Sequence, residues 1–182
     1  MKHQLRALIV LFALALASTA AVARDTVPAW VVGTFTSEAG ETKDAFLRRV
    51  GHALTDWADT TATEACGRIG KLPDGRLSVL ITTQKAQTVC IISDTVAAGQ
   101  TDTKETIHIH PGDGRTSIQL TTYDRQTFRA LHQFRYAEAR VLDAAPIGFS
   151  QDDYEGGPGY LIAGGRLLYQ HGKDTSQDLG AL

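Results

Sequence analysis

The spacing of apolar and polar residues divides the first half of the chain into segments of different period. Apolar residues at 46, 47, 50, 54 and 57 recur at helix-face spacing, which predicts an amphipathic helix beginning at Thr42. The runs 29–36, 64–70, 77–83 and 88–93 are rich in β-forming residues and predict strands around this helix. The polar stretch 94–105 predicts a linker.

The second half is less regular but continues the alternation of element types. Further strands are predicted at 106–110, 117–122, 160–163 and 166–170, and a helix at 124–139. Gly164-Gly165 between two β-rich runs indicates a hairpin, and the polar tail after Gly172 is predicted to fray. This order predicts an α+β fold, a mixed β-sheet flanked by helices.

The first residues predict an exported protein. A basic start precedes an unbroken apolar run at 7–17, and small residues lead to Ala21-Val22-Ala23. This pattern is typical of a secretory signal peptide, so residues 1–23 are set apart and residues 24–182 form one predicted domain. A transmembrane anchor is the alternative, but the apolar stretch is short for one. The predicted location is periplasmic or secreted, with no membrane anchor after cleavage.

The charge balance excludes one class of partner. The chain carries 18 basic and 20 acidic residues, a formal net charge of -2, and removal of the signal peptide takes away basic residues only. Nucleic-acid-binding proteins usually show a basic excess or stripe. The sequence therefore predicts no nucleic-acid partner.

The cysteine content fits the predicted export. In an exported protein a pair such as Cys66 and Cys90 predicts a disulfide. Closing a loop of this size contributes roughly 3 kcal/mol to stability. Two buried thiols, or Cys66 as a metal ligand, are the alternatives.

The candidate chemistry centres on Thr106-Ile107-His108-Ile109-His110-Pro111. Successive side chains of a strand point to opposite faces, so His108 and His110 share one face, about 7 Å apart, while Ile107 and Ile109 face a core. Two imidazoles at this spacing can bind one metal ion if a third ligand comes from elsewhere. Surface imidazoles without a metal are the alternative.

Asp153, in Ser150-Gln151-Asp152-Asp153, is the leading candidate for the third ligand. Ser-x-x-Asp is also a common N-cap pattern of a short helix. A hydrolytic zinc site needs in addition a base that takes a proton from the metal-bound water, and Glu64 is the candidate. The alternative ligands are Asp113, Asp124, His132, Asp152 and His171.

In this order the motifs resemble the signature of the JAMM (JAB1/MPN+) zinc metallopeptidases. Glu64 comes first, His108-Ile109-His110-Pro111 follows, and Ser150-Gln151-Asp152-Asp153 comes last. The helix before Glu64-Ala65-Cys66-Gly67 and the hairpin at Gly164-Gly165 are similar to those of bacterial JAB-like domains. The resemblance covers roughly residues 29–172 and implies a JAMM/MPN-like (cytidine-deaminase-like) architecture.

The resemblance implies a role for each matching residue. His108, His110 and Asp153 would ligate Zn²⁺, with a water in the fourth position. Glu64 would be the catalytic base that activates this water. Ser150 would hydrogen-bond the oxyanion that forms on the scissile carbonyl.

The spacing departs from the family pattern at one place. The family usually keeps His-x-His-Pro and Ser close together, whereas 39 residues separate His110 from Ser150 here. Residues 112–149 are therefore predicted to be an insertion with its own strand and helix. It would lie beside the active site, where it could shape substrate access.

The implied function is that of an exported zinc metallopeptidase that hydrolyses peptide or isopeptide bonds. Its substrate would be a short peptide, a protein tail or a cell-wall peptide cross-link. The alternative from another class is a non-catalytic JAMM-like module of the periplasm that binds a protein partner, as an inhibitor or assembly factor. Metal capture by surface histidines is a third reading, and it predicts no requirement for Glu64.

Overall fold

Strands and helices are mixed along the chain, as predicted for an α+β fold. The computed structural model describes residues 27–112, 116–143 and 147–182, so the predicted signal peptide lies outside it. The strands are β1 (Trp30–Thr36), β2 (Cys66–Lys71), β3 (Leu77–Thr83), β4 (Thr101–Ile109), β5 (Ser117–Gln119), β6 (Val141–Asp143), β7 (Gly159–Ala163), β8 (Arg166–Gln170) and β9 (Gln177–Ala181). The helices are α1 (Lys43–Thr61), α2 (Thr122–Ala130), α3 (Phe134–Ala137) and α4 (Gln151–Glu155). None of the helices in the described ranges is long and apolar enough to cross a membrane.

A seven-stranded sheet forms the centre of the described structure, in the order β1-β3-β2-β4-β7-β8-β9. Neighbouring strands are antiparallel except for β4 and β7, which are parallel. Parallel neighbours cannot be joined by a tight turn and need a crossover of a dozen or more residues. Here the crossover runs between β4 and β7 and contains the predicted insertion, the small β5–β6 sheet and α4.

Helix α1 covers one face of the sheet. Thr42 caps its N-terminus, because the Thr42 hydroxyl accepts a hydrogen bond from the backbone N–H of Ala45 at 3.2 Å. The apolar stripe then packs into the main core: Phe46, Val50 and Leu54 are fully buried, as are Ile107 and Ile109 of β4. Burial of each large apolar side chain contributes roughly 1.5–3 kcal/mol. The alternation predicted for β4 is confirmed, and the histidines lie on the opposite face.

The prediction of a strand at 88–93 is wrong, because side chains occupy the hydrogen-bonding groups that a ladder would need. The Gln84 amide accepts from the backbone N–H of Ile91 at 2.8 Å and donates to the Ile91 carbonyl at 3.3 Å. Cys90 is joined to Cys66 in the predicted disulfide, so Cys66 is not free to bind a metal. This segment is therefore an irregular loop with a covalent tether to β2.

Two other boundaries differ from the prediction. The linker ends earlier than expected, since Thr101 and Asp102 already pair with β2. The tail does not fray: β9 pairs antiparallel with the outer edge of β8, and Arg166 forms an ion pair with Asp178 across the two strands. An unpaired strand edge offers free backbone groups to any nearby extended segment. The pairing of β9 therefore depends on the edge of β8, and the hydrophobic pattern of the tail alone did not predict it.

The predicted insertion folds on itself and is fastened to the rest of the chain by a buried carboxylate. Its helix breaks into α2 and α3 near His132, which has a left-handed backbone (φ 59). Asp124, which is completely buried, accepts hydrogen bonds from the backbone N–H groups of Thr121 at 2.7 Å and of Gln87 at 2.6 Å. The bond to Gln87 fixes α2 against the segment that follows β3.

Asp124→Ala is expected to lower the free energy of unfolding by about 3 kcal/mol, because it removes a buried carboxylate that accepts hydrogen bonds from two part-buried N–H groups. Urea denaturation measures the change. Asp56→Ala, at an exposed position of α1, is the control and should change stability by less than about 0.5 kcal/mol. Equal effects of the two substitutions would contradict the anchoring role.

Candidate metal centre

His108 of β4 and His110, which directly follows this strand, are buried rather than exposed at the surface. His108 and His110 are each only 6% exposed, and their ring centroids are 5.0 Å apart. Strand register fixes His108, which pairs with Cys66 of β2 and Leu161 of β7. The backbone N–H of His110 donates to the carbonyl of Ile162 at 3.0 Å. Their burial separates them from ordinary surface imidazoles.

Helix α4 brings Asp153 to the same face. Ser150 caps the helix: its backbone N–H and its hydroxyl donate to Asp153 Oδ2 at 2.7 and 2.8 Å. From β8, the buried Gln170 donates its side-chain amide to the Asp153 carbonyl at 3.0 Å. Ser150 thereby holds the carboxylate of Asp153, and Gln170 holds its backbone.

The three side chains form a group suited to one metal ion. His108 Nε2 lies 3.1 Å from Asp153 Oδ1, and His110 Nε2 lies 3.6 Å from Asp153 Oδ2. One ligand atom from each residue lies within 4.8 Å of the others. Two imidazole nitrogens and one carboxylate oxygen match the ligand types of catalytic zinc sites.

His108 carries a further sign of a missing partner. Both of its ring nitrogens are buried, and neither makes a hydrogen bond of normal geometry to the described residues. A buried polar atom without a partner costs free energy. Coordination of a cation by one of these nitrogens would remove that cost, so the residues present fit a metal.

Glu64 stands beside this group. It is 4% exposed, and its Oε1 lies 4.0 Å from His110 Nε2. Its backbone is held at both polar groups: the N–H donates to the Ala86 carbonyl at 2.8 Å, and its carbonyl accepts from the Thr83 hydroxyl at 2.6 Å. The carboxylate is therefore positioned from the start of β2.

The two carboxyl groups have opposite proton affinities. Burial raises the pKa of Glu64 well above its ordinary value, and the carboxylates of Asp153 and Asp124 raise it further. Burial alone would also raise the pKa of Asp153, but the adjacent His108 and His110 and the backbone N–H of Ser150 outweigh it and hold that pKa well below its ordinary value. The two neighbouring carboxyl groups therefore have pKa values shifted in opposite directions.

The alternative ligands take other roles in the described structure. Asp124 anchors the insertion, and the exposed Asp152 accepts a hydrogen bond from the Gln133 side chain at 2.9 Å. His132 and His171 are exposed and lie outside the ligand group. Asp113 lies outside the described residues.

A cleft of about 620 Å³ extends from the ligand group. One wall is the loop at 88–92, tethered by the disulfide, and the other is the insertion, which contributes Phe128, Leu131, Tyr136 and Leu142. Small-molecule sites commonly fall in the range of about 300–1,000 Å³. The insertion therefore lies beside the ligand group.

The sequence did not predict the cleft wall formed by residues 88–92, because the composition of 88–93 favours a strand. Cys90 was the available signal, since its predicted disulfide links this segment to the one that contains Glu64.

Comparisons with protein-family profiles, with curated proteins and with solved structures found no match for this chain. The JAMM assignment therefore remains a prediction from the motifs.

The purified protein is expected to bind about one equivalent of Zn²⁺ and to lose this binding in the His108→Ala/His110→Ala variant. Zinc at about 100 times its dissociation constant should stabilise the wild type by about 2.7 kcal/mol. Metal analysis after dialysis and thermal unfolding measure the two effects.

The control for this test is His52→Ala/His171→Ala, which removes two exposed histidines outside the ligand group. It should keep both zinc binding and stabilisation. Absence of bound zinc in the wild type with excess metal present would rule out the site.

Proposed function

We propose that this chain is an exported, zinc-dependent hydrolase of peptide or isopeptide bonds with a JAMM-like active site. The observation that carries the proposal is the meeting of three ligand-type groups within 4.8 Å, with the Glu64 carboxylate 4.0 Å from His110 Nε2, at a cleft. The predicted signal peptide and the Cys66–Cys90 disulfide support export, because disulfides persist in oxidising compartments.

His108, His110 and Asp153 would hold the metal and leave a coordination position open to the cleft. When bound, zinc would supply Lewis-acid chemistry to the scissile carbonyl and the attacking water. The protein's part is to keep the three donors in place. Ser150 and Gln170 do this for Asp153, and strand register does it for the histidines.

Glu64 would move the proton. Its carboxylate accepts a proton from water as the water oxygen bonds to the carbonyl carbon, and it returns the proton to the amine nitrogen as the C–N bond breaks. Its Oε1 lies 4.0 Å from His110 Nε2, so the carboxylate stands next to the ligand group at which the water would be activated.

Ser150 is proposed to stabilise the oxyanion, but its hydroxyl donates to Asp153 Oδ2 in the structure. Donation to substrate requires the O–H to turn away. Asp153 Oδ2 would still keep the hydrogen bond from the backbone N–H of Ser150 at 2.7 Å. Ser150 would then have two separable effects, one on the metal ligand and one on the reaction.

Burial of Glu64 favours the enzyme over the non-catalytic binding module. A buried carboxylate costs free energy unless it is paired or neutralised. A module that only binds a partner does not require such a group beside the ligand residues. Retention of the complete set, with Glu64 next to His110, is what catalysis requires.

Ser150→Ala is expected to weaken zinc binding by about 10-fold, because the ligand Asp153 loses its hydroxyl partner. At saturating zinc, kcat should still fall by about 100-fold through loss of the oxyanion donor. Zinc titration and steady-state kinetics separate the effects. Unchanged kcat at saturating zinc would leave Ser150 as a positioning residue only.

Glu64→Gln is expected to retain zinc and to lower the rate of peptide hydrolysis by about 100-fold or more. The assay incubates the zinc-loaded protein with mixed peptides and isopeptide-linked peptides, and mass spectrometry detects the products. Glu38→Gln, at an exposed glutamate outside the cleft, should remain active. Failure of the zinc-loaded wild type to cleave any of these bonds would refute the hydrolase.

A further inference from the structure

We propose that the cleft selects positively charged peptides, with a lysine or arginine beside an apolar residue. This inference rests on the proposed function and names its substrate class. Three exposed carboxylates line the cleft, and they come from separate segments: Asp94 follows the tethered loop, Asp143 ends β6 and Asp152 lies in α4.

The charge of these carboxylates is not balanced by the cleft itself. Arg68 is the one lysine or arginine among the lining residues of the described structure. Its Nε donates to the Ser93 carbonyl at 2.8 Å, and its guanidinium lies 3.6 Å from Asp102. Its charge is thus directed to neighbours outside the cleft lining.

The metal does not reverse this balance. Asp153 would balance one of the two charges of a bound Zn²⁺, so the three exposed carboxylates of Asp94, Asp143 and Asp152 would still leave the cleft negative. Low-dielectric walls focus such a field and raise the local concentration of an oppositely charged substrate.

Asp152 places one negative charge close to the reaction. It directly precedes the ligand Asp153, and its Oδ2 accepts from the Gln133 side chain at 2.9 Å. This bond joins α4 to the insertion. Asp152 therefore lies between the ligand group and the apolar wall of the cleft. A carboxylate has lone pairs for further donors, so Asp152 can also accept from a substrate ammonium or guanidinium group.

The insertion supplies the apolar contact. Leu131 and Tyr136 are 37% and 44% exposed, and both line the cleft with the buried Phe128. His108, whose buried Nδ1 has no hydrogen-bond partner among the described residues, lines the same cleft. The carboxylates therefore belong to a formed cavity with a polar floor and an apolar wall, which together fit a basic residue next to an apolar one.

The test measures binding with turnover suppressed. NMR titrations of zinc-loaded Glu64→Gln use three acetylated, amidated octapeptides that carry one leucine flanked by two lysines, two norleucines or two glutamates. The lysine peptide is expected to bind about 10-fold more tightly than the norleucine peptide, which lacks only the charge, and the glutamate peptide should bind most weakly.

Adding Asp94→Asn/Asp143→Asn/Asp152→Asn to the zinc-loaded Glu64→Gln variant should remove the preference for the lysine peptide. The matched control adds Asp56→Asn/Asp59→Asn/Asp174→Asn, which makes the same change of charge at exposed positions outside the cleft and should keep the preference. Equal affinity for the three peptides, or equal loss in both variants, would overturn the inference.

The outcomes distinguish this inference from the proposed function. Cleavage of the three peptides by the zinc-loaded wild type at equal rates would support the hydrolase and overturn charge selection. Binding that prefers lysine, without cleavage of any peptide or isopeptide by the wild type, would support charge selection and overturn the hydrolase.

Discussion

The parallel pairing of β4 with β7 determines where the candidate site can form. Thr106 to Ile109 lie in register beside Gly159 to Ile162, so the chain leaves the end of β4 and must return beside its beginning. The returning segment lies on the face of the sheet that carries the histidines, where Phe149 packs with Leu161. Helix α4 is the last element before β7, and it delivers Asp153 to that face.

The two faces of β4 meet different physical demands. Ile107 and Ile109 are satisfied by packing against the core that includes α1. On the other face, buried imidazoles and carboxylates need polar partners. Ser150 supplies such partners for Asp153, whereas the Nδ1 of His108 has no hydrogen-bond partner among the described residues. His108, His110 and Asp153 together could hold a metal ion.

The parts of the structure that follow from local periodicity were predictable from the sequence. These include α1, the opposite faces of Ile107 and His108, and the hairpin at Gly164-Gly165. The Ser150-x-x-Asp153 pattern has two interpretations, N-cap and ligand. The structure confirms the N-cap, and this cap orients the Asp153 carboxylate toward the histidines, so the ligand interpretation stays a prediction.

Features that depend on distant contacts were not predictable in this way. Residues 88–93 have strand-like composition, but Gln84 and the disulfide hold them as a loop. β9 has little hydrophobic signal and forms because the edge of β8 is available. The cleft forms where Val89 packs against the small core of the insertion. The hydrophobic pattern of each segment does not indicate which other segment it will contact, so this packing was not predictable.

Completion of the cleft requires oxidation of Cys66 and Cys90 as well as folding of the chain. Cys66 lies on β2 opposite His108, whereas Cys90 lies in a wall that has no strand pairing of its own. Thiols stay reduced in the cytosol and pair in oxidising compartments. A newly made chain can therefore assemble its sheet before its cleft wall is tethered. Oxidation in such a compartment would then fix the position of the cleft wall after the sheet has formed.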